Sequence, residues 1–144
     1  MFCPLQPREP VVNAKSPPKQ TWEQQRAKHA WDTVSKLTGD KERKEFGTQA
    51  KKLPVRILTS GLGPSLAFLR AKKYAPELSK ALNDWIKECA WAKRATETSG
   101  ADADLMQKII HGDAEFLRLA TDECMAYLQW LVRFAEAADL VDTE

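Results

Sequence analysis

Histidine is nearly absent from this chain, which has only His29 and His111 among its 144 residues. Neither belongs to an H-E-x-x-H or H-x-D pattern, so no metal-hydrolase signature is spelled out. Both read as structural or solvated side chains. The three cysteines, Cys3, Cys89 and Cys124, are odd in number and lack C-x-x-C spacing. That pattern excludes a disulfide framework and a zinc finger, and it suits a reducing compartment. No apolar run approaches the roughly 18 to 20 residues of a membrane span, and Met1-Phe2-Cys3-Pro4 lacks the regions of a secretory signal. The expectation is a cytoplasmic protein with no membrane partner. Sustained alternation of apolar and polar residues is missing, and β-branched residues never cluster, which excludes a sheet. No internal repeat of 20 to 50 residues points to a solenoid.

Helical signals fill the space that remains. Five prolines within residues 1–20 block regular helix and leave a flexible, extended arm. Residues 21–144 then read as one all-α domain, a bundle of about six helices with a long C-terminal one. Thr21 and Gln24 form a capping box for a helix to about Thr38, with an apolar stripe of Ala27, Ala30, Trp31, Val34 and Leu37. Asp40 caps a second helix to Ser60 that turns Phe46, Ala50, Leu53 and Ile57 inward, with Pro54 and Gly47 weakening it. Gly61 supplies a left-handed end, and Pro64 begins a third helix to Lys73. Pro76 starts a fourth to about Arg94, and Leu66, Phe68, Leu69, Leu82, Trp85, Ile86 and Cys89 are expected in the core. A loop over 96–100 and a short helix from Asp102 to Ile110 precede the longest helix, capped by Asp113 and running to Ala138. Its inward positions are Leu117, Ala120, Cys124, Tyr127, Leu128, Leu131, Phe134 and Ala135. Trp31, Trp85 and Trp130 fall on inward positions, which favours packing over base stacking.

Charge is divided sharply along the chain. Residues 1–94 carry 19 Lys/Arg against 9 Asp/Glu, whereas residues 95–144 carry 3 against 11, although the whole chain is only +2. Such a division gives either internal pairing of helices or two unlike electrostatic surfaces. At about 100° per residue, Lys41, Lys44, Lys51, Lys52 and Arg56 fall opposite the apolar stripe of the second helix. Arg26 on the first helix, Arg70, Lys72 and Lys73 on the third, and Lys87, Lys93 and Arg94 on the fourth extend the bias. These residues are candidates for contacts with a phosphate backbone. The carboxylate pairs Asp102/Asp104 and Asp113/Glu115 sit at helix starts, where they complement the macrodipole rather than hold a metal. Gly61-Leu62-Gly63 follows no strand and lacks G-K-[ST], so it is punctuation and not a phosphate loop. No cofactor is implied.

Three segments carry a family resemblance. Lys52-Leu53-Pro54, Ile57, Gly61-Leu62-Gly63 and Leu66-Ala67-Phe68-Leu69 form the middle pattern. Gln25-Arg26-Ala27, Ala30-Trp31 and Val34 precede it, and Ala126-Tyr127-Leu128-Gln129-Trp130-Leu131-Val132-Arg133-Phe134-Ala135-Glu136-Ala137 closes it. Together they resemble the small α-helical subunit of the Cmr effector complex of type III-B CRISPR systems over residues 22–138. Residues 1–20 have no counterpart there, and Pro64 stands where that family often carries a polar residue. The resemblance implies a non-catalytic subunit that stacks in several copies beside other Cmr subunits. It also implies a place lining the channel for guide RNA and target RNA, in antiviral defense. Two rival readings are a stand-alone helical nucleic-acid-binding regulator using residues 41–73, and a small hydrolase built on Cys124 and His111.

Overall fold

The structure is a computed structural model that describes residues 19–93 and 103–138, and its described residues contain six α-helices and no strand. The expected loop over 96–100, Arg94 and most of the Pro-rich arm lie outside them. Helix α1 spans Trp22–Ser35, α2 Asp40–Ser60, α3 Leu62–Lys72, α4 Pro76–Glu88, α5 Leu105–His111 and α6 Ala114–Ala137. The start of α1 is set by the expected capping box, with Gln24 N–H donating to Thr21 Oγ1 at 3.1 Å and Thr21 N–H to Gln24 Oε1 at 2.8 Å. Its end comes three residues earlier than periodicity suggests. Leu37 is still buried because a final tight turn, Leu37 N–H to Val34 O, keeps it on the core side.

The α2–α3 corner is built on glycine. Gly61 has φ 91° and ψ 164°, so its φ is positive as expected, but its ψ is extended rather than helical. Only glycine adopts that region without strain. The corner lets α3 begin at Leu62, two residues before Pro64. Gly39, at φ 83°, rather than Asp40, is the N-cap of α2. Helix α4 stops at Glu88 and gives way to a short 3-10 turn over Ala90–Ala92. Helix α5 begins at Leu105, capped by the Asp104 side chain; Asp102, the expected start, lies outside the described residues.

Helix α6, about 36 Å long at 1.5 Å per residue, is the spine and lies against α1, α2 and α4; α3 packs on α2, α4 and α5. Its inner face of Phe116, Ala120, Cys124, Tyr127, Leu128, Leu131 and Ala135 repeats at helical spacing. Three expected core residues are instead exposed: Trp31, Phe68 and Leu117. Phe134 and Trp130 are half-buried. Each sits at the flank of its helix's apolar sector, where burial depends on a neighbouring helix covering that edge.

One acid is buried among these apolar residues. Glu123 accepts from Arg26 Nε at 2.6 Å and Nη2 at 3.0 Å, from Trp85 Nε1 at 2.7 Å and from Trp22 Nε1 at 3.2 Å. Four N–H donors from α1 and α4 thus converge on one carboxylate of α6. Trp22 lies against Trp85 at 4.8 Å between ring centroids, and Trp85 stacks on Tyr127 at 5.5 Å. Burial alone would push the Glu123 carboxyl up, but the bonds from Arg26, Trp85 and Trp22 outweigh it and hold it below the ordinary glutamate value.

Two outcomes follow for stability. Glu123 binds its proton more weakly in the fold than in the unfolded chain, so its contribution is complete above the ordinary value of 4.5 and disappears as pH falls through the lower folded value. Glu123→Gln should lose about 1.5–3 kcal/mol at pH 7 and show a flatter loss of stability in acid, measured by denaturant melts across pH. Gly61→Ala meets only Pro64 Cδ, at 3.8 Å, so its cost is a backbone cost of about 1–3 kcal/mol, readable as a lower melting temperature.

Candidate nucleic-acid interface

Helix α2 turns Phe46, Ala50, Leu53 and Ile57 into the core, which forces the opposite arc outward. Lys41, Lys44, Lys51 and Lys52 are all exposed there. Val55 and Leu58, 62% and 75% exposed, continue the same arc toward the helix end. The face is therefore cationic for most of its length and apolar at its tip.

Arg56, expected on this arc, is drawn away from it. Its guanidinium lies 4.5 Å over the Phe68 ring and donates to Gln49 Oε1 at 2.7 Å. Phe68 is consequently an α2–α3 contact rather than a core residue. Arg26 is spent on Glu123 and on Glu23. Arg70 pairs with Asp104 Oδ2 at 2.6 Å. Burial would raise the Asp104 carboxyl, but the Gln107 N–H and the Arg70 guanidinium hold it below its usual range.

Lys72 and Lys73 are exposed at the end of α3. The corner that follows Lys72 and Lys73 is tied to α2 at Glu45, whose Oε1 accepts from the Ala75 N–H at 3.2 Å. Lys73 and Ala75 themselves adopt positive φ, 58° and 42°, a strained pair that the Glu45 bond helps hold. Lys87 and Lys93 are exposed on and after α4. Lys87 belongs to a separate group around α5: burial, and then the Lys87 charge, depress the ammonium of the buried Lys108.

Arg43 was missing from the expected set. It lines a cleft of about 780 Å³ with Lys41, Lys44, Asp40 and Ala138, where α1, α2 and α6 meet. Its helical angle lies on the flank between the core and the outer arc, which is why the opposite-face criterion passed over it.

The residues considered for catalysis do not come together. Cys124 is fully buried and burial pushes its thiol up; Cys89 is likewise buried and pushed up to about 12. His111 is exposed at the end of α5, several turns of α6 away from Cys124. Burial holds His29 below its ordinary value, against the carboxylates of Asp84, Glu88 and Asp32, and its Nδ1 lies 2.5 Å from the Tyr127 hydroxyl. Among the described residues no three His, Cys, Asp or Glu side chains gather as metal ligands, and no helix is long and apolar enough to cross a membrane.

Residues 22–138, from the first residue of α1 to the residue that closes α6, match a protein family described as "CRISPR-associated protein (Cas_Cmr5)". The chain is also similar to a protein of Thermus thermophilus, "CRISPR system Cmr subunit Cmr5". The two are 31% identical over 113 residues, covering 77% of this chain and 90% of that protein.

The geometry separates structural cations from presented ones. Arg56→Ala removes a ring contact and a hydrogen bond between α2 and α3 and should cost about 1 kcal/mol. Lys52→Ala, on the open arc, should stay within about 0.5 kcal/mol of the parent. Thermal melts of the two variants side by side check the assignment; equal losses would place Lys52 in a structural contact too.

Proposed function

The chain belongs to the Cmr5 family of CRISPR-associated proteins, and from that premise we propose that it is a structural, non-catalytic subunit of a type III-B CRISPR ribonucleoprotein in the cytoplasm. Its partners in this reading are other Cmr subunits and further copies of itself. Several copies stand along the channel that holds guide RNA and target RNA, and the subunit supports target capture without cutting. The observation that carries the reading is the family match, which begins and ends with the folded bundle.

The lysine arc of α2 supports the RNA part. Lys41, Lys44 and Lys52 on α2, and Lys72 and Lys73 at the end of α3, present ammonium groups that would neutralise phosphates without reading bases. Two of the candidate arginines, Arg26 on α1 and Arg56 on α2, are turned to internal partners. An interface of this composition gives salt-sensitive, sequence-indifferent contacts, weak in each copy and strengthened by repetition. A stand-alone regulator fits less well. Helix α3 offers Leu62, Ser65, Leu66 and Leu69 to the core and Ala67 and Phe68 outside, with few groups able to read base edges.

Reversing Lys44 and Lys52 to Glu in the assembled complex should weaken target RNA capture and lower the salt slope of binding by about 1 for each lysine that meets a phosphate. The cutting chemistry of the complex should persist in that variant. Capture with an unchanged slope across a salt titration overturns the RNA role, and loss of RNA cleavage on replacing His111 and Cys124 in a folded, incorporated subunit overturns the non-catalytic one.

A further inference from the structure

Arg43 stands apart from the other arginines of the described residues. Arg26, Arg56, Arg70, Arg118 and Arg133 each meet a carboxylate, an amide or a ring of the same chain. The guanidinium of Arg43 has no hydrogen bond, ion pair or ring contact among the described residues. It is nevertheless half-buried, unlike the exposed Lys41, Lys44 and Lys52 of the same helix. A cation drawn partly out of water and left unanswered raises the free energy of the fold, so the position favours an anion that can reach it.

The cleft around Arg43 suits such an anion. Three cations, Lys41, Arg43 and Lys44, line it against a single carboxylate, Asp40. Asp40 stands three residues before Arg43 and four before Lys44, spacings at which helical ion pairs form, yet it pairs with neither. The Glu42 carboxylate is turned back over Gly39. Leu37 and Ala138 give the cleft an apolar wall, which lowers the local dielectric and strengthens attraction for a charged group. Its volume of about 780 Å³ lies within the range of small-ligand sites, roughly 300–1,000 Å³.

A planar guanidinium presents parallel N–H donors that match two oxygens of one phosphate, whereas an ammonium acts as a point charge. The cleft is also continuous with the outer arc of α2, since Lys41 and Lys44 belong to both. A polyanion lying along that arc therefore brings a phosphate to Arg43. We propose that Arg43 seats one backbone phosphate of an RNA strand in this cleft, with Lys41 and Lys44 flanking it, and so fixes the position of a strand that the outer lysines only attract. The proposal rests on the RNA-binding reading above.

Arg43→Lys in the assembled complex tests this, because it keeps the charge and removes the fork. Capture of target RNA should weaken about tenfold while its salt slope stays that of the parent. Lys52→Gln should instead lower the slope by about 1, with a smaller loss of affinity. Thermal melts of both variants should match the parent. A second readout uses the unaltered subunit. Its Arg43 Nε–H resonance, assigned by its loss in Arg43→Lys, should shift on adding a uridine hexamer and stay in place on adding a glutamate hexamer at the same ionic strength. Capture by Arg43→Lys equal to the parent's, or weakened no more than that of Lys52→Gln, overturns the proposal; the RNA reading survives that result if reversing Lys44 and Lys52 still lowers the slope. A resonance that answers the glutamate peptide and not the RNA overturns it in favour of an acidic protein segment, and one that moves with neither overturns it outright.

Discussion

The bundle depends on a carboxylate that would be costly to bury alone. Glu123 sits on the inner face of α6 between Ala120 and Tyr127, and removing it from water is tolerable only because Arg26, Trp22 and Trp85 all donate to it. The requirement is mutual. Two indole N–H groups and a guanidinium in the same region also need an acceptor, and one carboxylate serves them together. Apolar packing of Ala30, Val34, Leu128 and Leu131 is non-directional and would accept small rotations of α1 against α6. Hydrogen bonds to a single pair of oxygens do not, so the hub sets the relative placement of α1, α4 and α6.

Local features were legible in the sequence and long-range ones were not. The Thr21–Gln24 box, the Asp113 cap, the α2 stripe and the all-helical class each follow from residues within a few positions of one another. Trp31, Phe68 and Leu117 were misplaced because periodicity identifies an apolar sector but not whether another helix covers its edge. Glu123 went unread, although an acid in the middle of an apolar stripe is itself a signal; its partners lie 97, 101 and 38 residues away. At the candidate interface, angular arithmetic placed Lys41, Lys44, Lys51 and Lys52 outward as found. It could not know that a phenyl ring on α3 would attract Arg56.

Most of the described arginines are spent on contacts within the fold, although lysine also pairs in places, Lys28 with Asp32 and Lys80 with Asp84. Arg26, Arg56, Arg70, Arg118 and Arg133 are held by carboxylates, an amide or a ring. A planar guanidinium with fixed donors is suited to such places. The outer arc of α2 uses lysine, whose compact, hydrated ammonium stands on a long flexible stem. Fixed donor geometry thus serves contacts that hold the fold, and the lysine arc is left to the surface.

The distance in sequence between the two ends of the hub also bears on how the chain is made. Trp22 and Glu123 are separated by 101 residues, so at about 5–20 residues per second α1 leaves the ribosome some 5–20 s before its principal partner exists. During that interval α1 can pack only on α4, through Trp22 and Trp85, and α1 to α4 can assemble only a partial core. Helix α6 therefore acts as the closing element of synthesis: a transcript cut short before Glu123 yields a product in which the earlier helices are all present and the fold is not.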